Sequence, residues 1–246
     1  LLADYEISQT KAVKGLPKDG CLIKSIVTSN MAKAIAESYG VKLIDVLTGF
    51  KFIGQQILKF EKTGIGTYLF GFEESYGCLI GTYARDKDAI VATMALCEAA
   101  AYYKTLGKTL WDAMIDMYEK YGYYKDDIQS ITLKGIEGLE KIQNILETLR
   151  KEPPAEIGGY GVQRARDYKA GTIKDLRTGE TSDTGLPASN VLYYELENDA
   201  WVCVRPSGTE PKVKFYYGIK GNSLENADEI SAKMGASVLE MIEKML

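Results

Sequence analysis

The chain has 246 residues, 46% of them hydrophobic, with a formal net charge of −4 and no histidine. That length supports one large domain or two modest ones, each with a sizeable core. Acidic and basic residues are interspersed, so no segment reads as a nucleic-acid-binding arm or a polybasic membrane patch. The lack of histidine excludes every Ser-His-Asp, Cys-His and His–metal scheme within the chain. Proton transfer must then use Asp, Glu, Lys, Tyr or Cys.

Cys21, Cys78, Cys97 and Cys203 form no C-x-x-C pair and no zinc-like spacing. Cys97 lies in an apolar helix-like run and Cys203 in an apolar strand-like one, so both are expected to be buried thiols. This cysteine usage points to a reducing, cytoplasmic setting. The longest apolar run, Ala89 to Tyr103, contains Glu98 and is too short to cross a bilayer. The opening Leu1-Leu2-Ala3-Asp4 is neither a signal peptide nor a natural start, and reads as the edge of an excised piece.

In chain order, Cys21 to Thr28 reads as a strand. Ser29 or Asn30 caps a helix over Met31 to Tyr39, which Gly40 ends. Val41 to Leu47 is a second strand. Lys51 to Glu61 is a helix with Phe52, Ile53, Ile57 and Leu58 on one face. Gly66 to Phe72 is a third strand. Asp86 or Asp88 caps a long apolar helix to Lys104, expected to be buried because it is apolar on so many sides. Lys108 to Tyr121 is a further helix. This alternation predicts an α/β domain, three layers deep, around a mostly parallel or mixed sheet.

The grammar then changes. Ser130 to Leu133 is a strand, and Leu139, Ile142, Leu146 and Leu149 line a helix that stops before Pro153-Pro154. Strands follow at Tyr160 to Tyr168, Val191 to Leu196, Trp201 to Arg205 and Val213 to Ile219, and Asn226 to Leu246 is a closing helix. Between Lys169 and Ser189 the chain reads as a long, polar, mobile loop. The expectation is a smaller α+β domain whose antiparallel sheet is packed by two helices. The change in grammar divides the chain into residues 1–125 and 126–246.

Four loops carry chemistry. Arg205-Pro206-Ser207-Gly208-Thr209-Glu210-Pro211-Lys212 joins two apolar strands. Arg205 offers a planar fork for phosphate, and Ser207 and Thr209 offer hydroxyls. Gly208 lets backbone N–H groups turn inward as an anion nest, with Lys212 and Lys214 nearby. An ordinary hairpin turn uses the same residue types. Gly71-Phe72-Glu73-Glu74-Ser75-Tyr76-Gly77 follows a strand, where open α/β sheets carry ligand loops. Its carboxylates and Ser75 suit neighbouring sugar hydroxyls, although a solvated acidic turn reads the same way. Arg85-Asp86-Lys87-Asp88 is a helix cap with flanking charges, or a lysine aimed into a cleft. Thr48-Gly49-Phe50-Lys51-Phe52 is a strand-to-helix loop at the same edge, in which Thr48 can also serve simply as a cap. No acidic cluster with magnesium-ligand spacing, nucleophile elbow, P-loop or dinucleotide fingerprint is found.

In this order the four motifs resemble the α-D-phosphohexomutase superfamily, in its phosphoglucomutase/phosphomannomutase branch, over nearly the whole chain. The resemblance implies the C-terminal half of a four-domain enzyme, its third and fourth domains, with residues 1–8 the tail of the second. It implies Glu73, Ser75, Thr48 and Gly49 for sugar recognition, Lys87 as a catalytic acid/base near the reacting phosphate, and Arg205, Ser207, Gly208, Thr209 and Lys214 for the idle phosphate. Some relatives carry a histidine near the sugar loop, a role either absent here or filled by Tyr76 or a lysine. The implied reaction interconverts hexose 1-phosphate and hexose 6-phosphate through a bisphosphate intermediate and a phosphoserine. Serine and Mg²⁺ ligands would lie in the N-terminal domains of the same polypeptide, with a glucose 1,6-bisphosphate-type activator. The present chain alone is then expected to be inactive. A phosphopentomutase and a stand-alone sugar-phosphate-binding module are the alternatives.

Overall fold

The structure is a computed structural model that describes residues 1–246 apart from Lys134, Thr209 and the side chain of Ile136. The chain divides into two compact units, Leu1–Gly122 and Tyr123–Leu246.

The first unit runs α1 (Leu2–Lys14), β1 (Gly20–Ser25), α2 (Met31–Tyr39), β2 (Lys42–Val46), α3 (Phe50–Thr63), β3 (Thr67–Glu73), β4 (Gly77–Ile80), α4 (Ala89–Thr105) and α5 (Leu110–Tyr121). Its sheet has the order β2-β1-β3-β4, parallel except for the β3–β4 hairpin. Right-handed crossovers are the rule for parallel strands. The step from β1 to β2 and the step from β2 back past β1 to β3 run in opposite directions. Helices α2 and α3 therefore fall on opposite faces, and β1 is buried along its whole length. Phe50, Ile53 and Ile57 of α3 pack on Ile23, Val46, Tyr68 and Leu79. The same reversal of direction gathers the carboxyl ends of β1, β2 and β3 at the switch point where open α/β sheets bind ligands.

Local signals behave as the residue types dictate. Gly40 closes α2 in the left-handed conformation at φ 67. Asp88 caps α4 by accepting from the N–H groups of Ile90 and Val91, and Thr109 opens α5 in a capping box with Asp112. Helix α1, with Ala3, Asp4, Tyr5 and Ile7 buried, belongs to this unit; the sequence alone names no element before Cys21. Among the described residues no helix is long and apolar enough to cross a membrane.

Three expectations about burial in the first unit are corrected. Helix α4 is not buried: only Ala95 and Ala99 are inside, while Ile90 is 76% exposed and Met94 65%. It lies along β4, the edge strand, where small alanines meet the sheet and the larger side chains face outward. Cys97, on the same helix, is exposed, whereas Cys203 is buried as expected. Leu58 of α3 is also exposed.

The second unit runs β5 (Tyr123–Thr132), α6 (Gly135–Lys151), β6 (Glu156–Ile157), β7 (Tyr160–Asp167), β8 (Thr172–Asp175), β9 (Thr181–Asp183), β10 (Leu192–Leu196), β11 (Trp201–Pro206), β12 (Lys212–Gly221) and α7 (Leu224–Glu243). The strands form an antiparallel sheet in the order β5-β12-β11-β10-β7-β8-β9, with β6 beside β7. Val202, Val204, Val213, Phe215 and Tyr217 face Ile142, Leu146 and Leu149 of α6 and Met234, Val238 and Ile242 of α7 in one core. This is the expected sheet with two helices, but the unit matches the first in size and is not smaller. The segment from Lys169 to Ser189 is no structureless loop, because β8 and β9 extend the sheet there. Asp175 closes the turn between them by accepting from the N–H groups of Arg177 and Thr178. Strand β5 begins at Tyr123, well before Ser130, because β12 pairs with it over its full length. Leu139 of α6 is exposed.

The corrected burial sets a thiol-labelling result. Cys97 should react with a disulfide reagent in the native chain, and Cys21 and Cys203 only after denaturation. Cys97→Ser should abolish the fast phase. Native-state labelling of Cys203 at the Cys97 rate would contradict this packing.

Candidate functional site

The first cluster stands at the switch point of the first unit, and Glu73 is its centre. The last residue of β3 brings its carboxylate to the start of α3, where Oε1 accepts the Gly49 N–H at 2.6 Å. Oε2 accepts from Lys87 Nζ at 3.1 Å. The Glu73 side chain is 3% exposed and that of Lys87 38%. Gly49 has φ 123, a left-handed value that a side-chain-bearing residue rarely adopts. Gly77, opposite Glu73 in the hairpin, has no room for a side chain: a Cβ there would stand 2.0 Å from Lys87 Cδ. Gly54 on α3 likewise lets the backbone oxygen of Arg85 approach, and Arg85 binds Glu61 at 2.5 Å. The loop carrying Lys87 is thereby held against α3.

Three of the loops singled out in the sequence therefore meet at one carboxylate, through Gly49, Glu73 and Lys87. Thr48 is half-buried beside Gly49, and Ser75 is exposed at the hairpin tip.

Behind Glu73 is a polar group that the sequence analysis missed. Lys24 is 2% exposed near the carboxyl end of β1 and pairs with Asp45 of β2 at 3.1 Å. Its ammonium also donates to the backbone oxygen of Thr28 at 3.0 Å. Buried Ser25 donates to Glu74 Oε2 at 3.0 Å and lies 2.8 Å from the Thr28 hydroxyl. Glu74 thus ties the hairpin to the end of β1. A signal was available: a lysine inside an apolar strand must find partners or stay out of the core.

The second cluster lies in the second unit, on the sheet face opposite its helices. Arg205 of β11 and Lys214 of β12 are direct cross-strand neighbours, with Ser130 of β5 next in the row. Like charges placed opposite each other are unfavourable by themselves. Neither cation has an acidic partner among the described residues, whereas Lys212 is paired with Glu210 at 3.0 Å. The loop is a hairpin closed by Ser207 N–H to Lys212 O at 2.7 Å, with Glu210 N–H on the Ser207 hydroxyl at 3.3 Å.

The N–H groups of Ser207, Glu210 and Lys212 are used inside the loop and are not turned to an expected nest. Gly208 lies outside the left-handed region, and a Cβ there would meet nothing within 4 Å, so its surroundings are open to a ligand. Thr209 lies outside the described residues. Among the described residues no group of three or more His, Cys, Asp or Glu side chains could hold a metal ion. The magnesium that the resemblance implies has no such donor set here.

Comparisons with known proteins identify the family. The family model "Phosphoglucomutase/phosphomannomutase, alpha/beta/alpha domain III" matches residues 1–121. The model "Phosphoglucomutase/phosphomannomutase, C-terminal domain" matches residues 168–234. A phosphoglucomutase of Staphylococcus aureus is 37% identical over 238 residues, which are 97% of this chain and 41% of the relative. One from Staphylococcus saprophyticus is 38% identical over 90% of this chain and 39% of its own length. The open form of parafusin, a Paramecium phosphoglucomutase, superimposes with a TM-score of 0.64 at 18% identity, over 98% of this chain and 40% of that one. The chain belongs to the phosphoglucomutase/phosphomannomutase family, within the α-D-phosphohexomutase superfamily, and corresponds to its C-terminal half. It spans about two fifths of the length of the curated relatives it matches.

Two results follow from the first cluster. Removing Lys87 leaves a nearly buried carboxylate with one donor, so Lys87→Met should lower the thermal midpoint, and adding Glu73→Gln should recover part of the loss. A double-mutant cycle should give a coupling of about 1 kcal/mol, between the values for exposed and buried pairs; zero coupling would remove the pair from the site. The second concerns Asp88, beside Lys87. The Tyr83 hydroxyl at 2.6 Å, and then the Val91 N–H, hold its carboxyl below the ordinary carboxylate range. A depressed folded-state pKa contributes stability that is present above the unfolded value, about 3.9, and is lost as pH falls through the folded one. Acid unfolding monitored by circular dichroism should therefore be shallower below about pH 4 in Asp88→Asn, which keeps a cap but cannot titrate.

Proposed function

We propose that this chain is the sugar- and phosphate-recognising part of a phosphohexomutase that interconverts hexose 1-phosphate and hexose 6-phosphate. The single observation that carries this reading is the pair Arg205 and Lys214, side by side with no acidic partner among the described residues. A dianionic phosphate ester supplies the missing charge, and the Arg205 fork can bind two of its oxygens. Ser207 and Thr209 add hydroxyl donors, and open space at Gly208 admits the phosphate to the backbone.

In the first unit, Ser75, Thr48 and Gly49 meet the sugar hydroxyls, and Glu73 orients Lys87. An incoming phosphoryl group competes with Glu73 for the Lys87 ammonium. As Lys87 moves to the phosphate, Glu73 Oε2 becomes free to accept from a sugar hydroxyl. Lys87 thereby delivers positive charge, and where needed a proton, to the reacting phosphate. Positioning and charge of this kind supply most of the catalysis in phosphoryl transfer. A hydroxyl-based loop and a separate phosphate-based loop suit a substrate that presents either end in turn.

In the whole polypeptide, a phosphoserine gives its phosphoryl group to the sugar phosphate, forming a bisphosphate. The opposite phosphate then returns to the serine. Serine, magnesium and activator belong to this larger reading, and the chain alone is expected to bind without turnover. A reducing, cytoplasmic setting belongs to the same reading.

Calorimetric titration of the chain with α-D-glucose 1-phosphate tests the proposal. Binding should be saturable and should weaken at least tenfold, about 1.4 kcal/mol, in Arg205→Ala. Equal affinity in Arg205→Ala and the parent would remove the phosphate loop from the mechanism. Conversion to glucose 6-phosphate by the purified chain would overturn the division of labour.

A further inference from the structure

The β3–β4 hairpin turns in three residues, Glu74, Ser75 and Tyr76, between the paired Glu73 and Gly77. Such loops need their last residue in the left-handed region, where glycine or asparagine is the usual occupant. Here the position holds a tyrosine at φ 51. Its ring is fully exposed, at 105%, and finds no hydrogen bond, ion pair or ring contact among the described residues. Backbone preference, burial and bonding therefore all fail to account for the aromatic side chain. An exposed ring kept on a disfavoured backbone is a mark of function over stability.

Its neighbours indicate the occupant. Glu74 is anchored to Ser25 and Glu73 to Gly49 and Lys87, so the base of the hairpin is held from both sides. Tyr76 thus stands on a braced turn, between the exposed Ser75 hydroxyl and the glycine over which Lys87 lies. A pyranose has a hydroxyl edge and an apolar C–H face. The cluster supplies donors and acceptors for the edge, and Tyr76 adds a fully exposed aromatic face beside them.

We propose that Tyr76 is a specificity-determining residue, a platform on which the apolar face of the sugar ring rests. The inference depends on the sugar-phosphate reading above and adds the surface that selects a sugar from other phosphate esters.

The test compares the parent chain, Tyr76→Gly and Tyr76→Phe for thermal midpoint and for binding of α-D-glucose 1-phosphate and of inorganic phosphate. Tyr76→Gly should keep or raise the midpoint, because glycine suits the turn. It should weaken glucose 1-phosphate about three- to tenfold and leave inorganic phosphate unchanged, while Tyr76→Phe binds as the parent does. Unchanged glucose 1-phosphate affinity in Tyr76→Gly overturns the platform alone. Equal weakening toward both ligands, or a lowered midpoint, also overturns it by assigning the ring to the phosphate or to the fold. A parent chain that fails to bind glucose 1-phosphate overturns the sugar-phosphate reading, and the platform with it.

Discussion

A carboxylate at the end of a buried strand needs donors, and much of the first unit is arranged around supplying them to Glu73. One donor is the Gly49 N–H and the other the Lys87 ammonium. Each has a local requirement. Gly49 turns through a positive φ, and Gly77 stays bare so that the lysine stem can cross it. Behind them, Lys24 and Ser25 tie β1 to Asp45 and to Glu74. The loops following β2 and β4 are thus linked to β3 through polar groups with few alternatives in the core. Removing one member leaves its partners poorly satisfied, which makes the arrangement rigid enough to hold a site.

The second unit solves the opposite problem. There the sheet and its two helices form a complete apolar core, and Arg205 and Lys214 stand on the other face as adjacent like charges. Their placement does not help the sheet. Such a pair has a physical use when an anion settles between the two cations. One unit thus holds a carboxylate satisfied from within, and the other places two cations side by side with no acidic partner among the described residues.

Helix α4 shows how composition can mislead. Its alanine-rich, nearly uniform apolar run reads as a buried core helix, yet the edge strand beneath it accepts only Ala95 and Ala99. A helix with no polar stripe does not say which face turns inward, and its exposure depends on what lies beside it. The segment from Lys169 to Ser189 misleads in the other direction. Its polar residues read as a loop, but edge strands such as β8 and β9 need few apolar side chains, and their backbone pairing is invisible to a hydropathy pattern.

By itself the sequence determined the alternation of strands and helices in the first unit, the sheet with two helices in the second, and the caps at Asp88 and Gly40. These depend on local periodicity and on residues with particular backbone or capping preferences. It also pointed to the loops with candidate polar groups, because runs such as GFEESYG and RPSGTEPK place such groups where a strand ends. Only the tertiary structure decided that Gly49, Glu73 and Lys87 meet, that Ser25 anchors Glu74, and that Arg205 faces Lys214. It also decided that Tyr76 stands free on a left-handed turn. Those facts depend on strand order, register and crossover handedness, which join residues far apart in the chain and leave no mark in any short stretch of it.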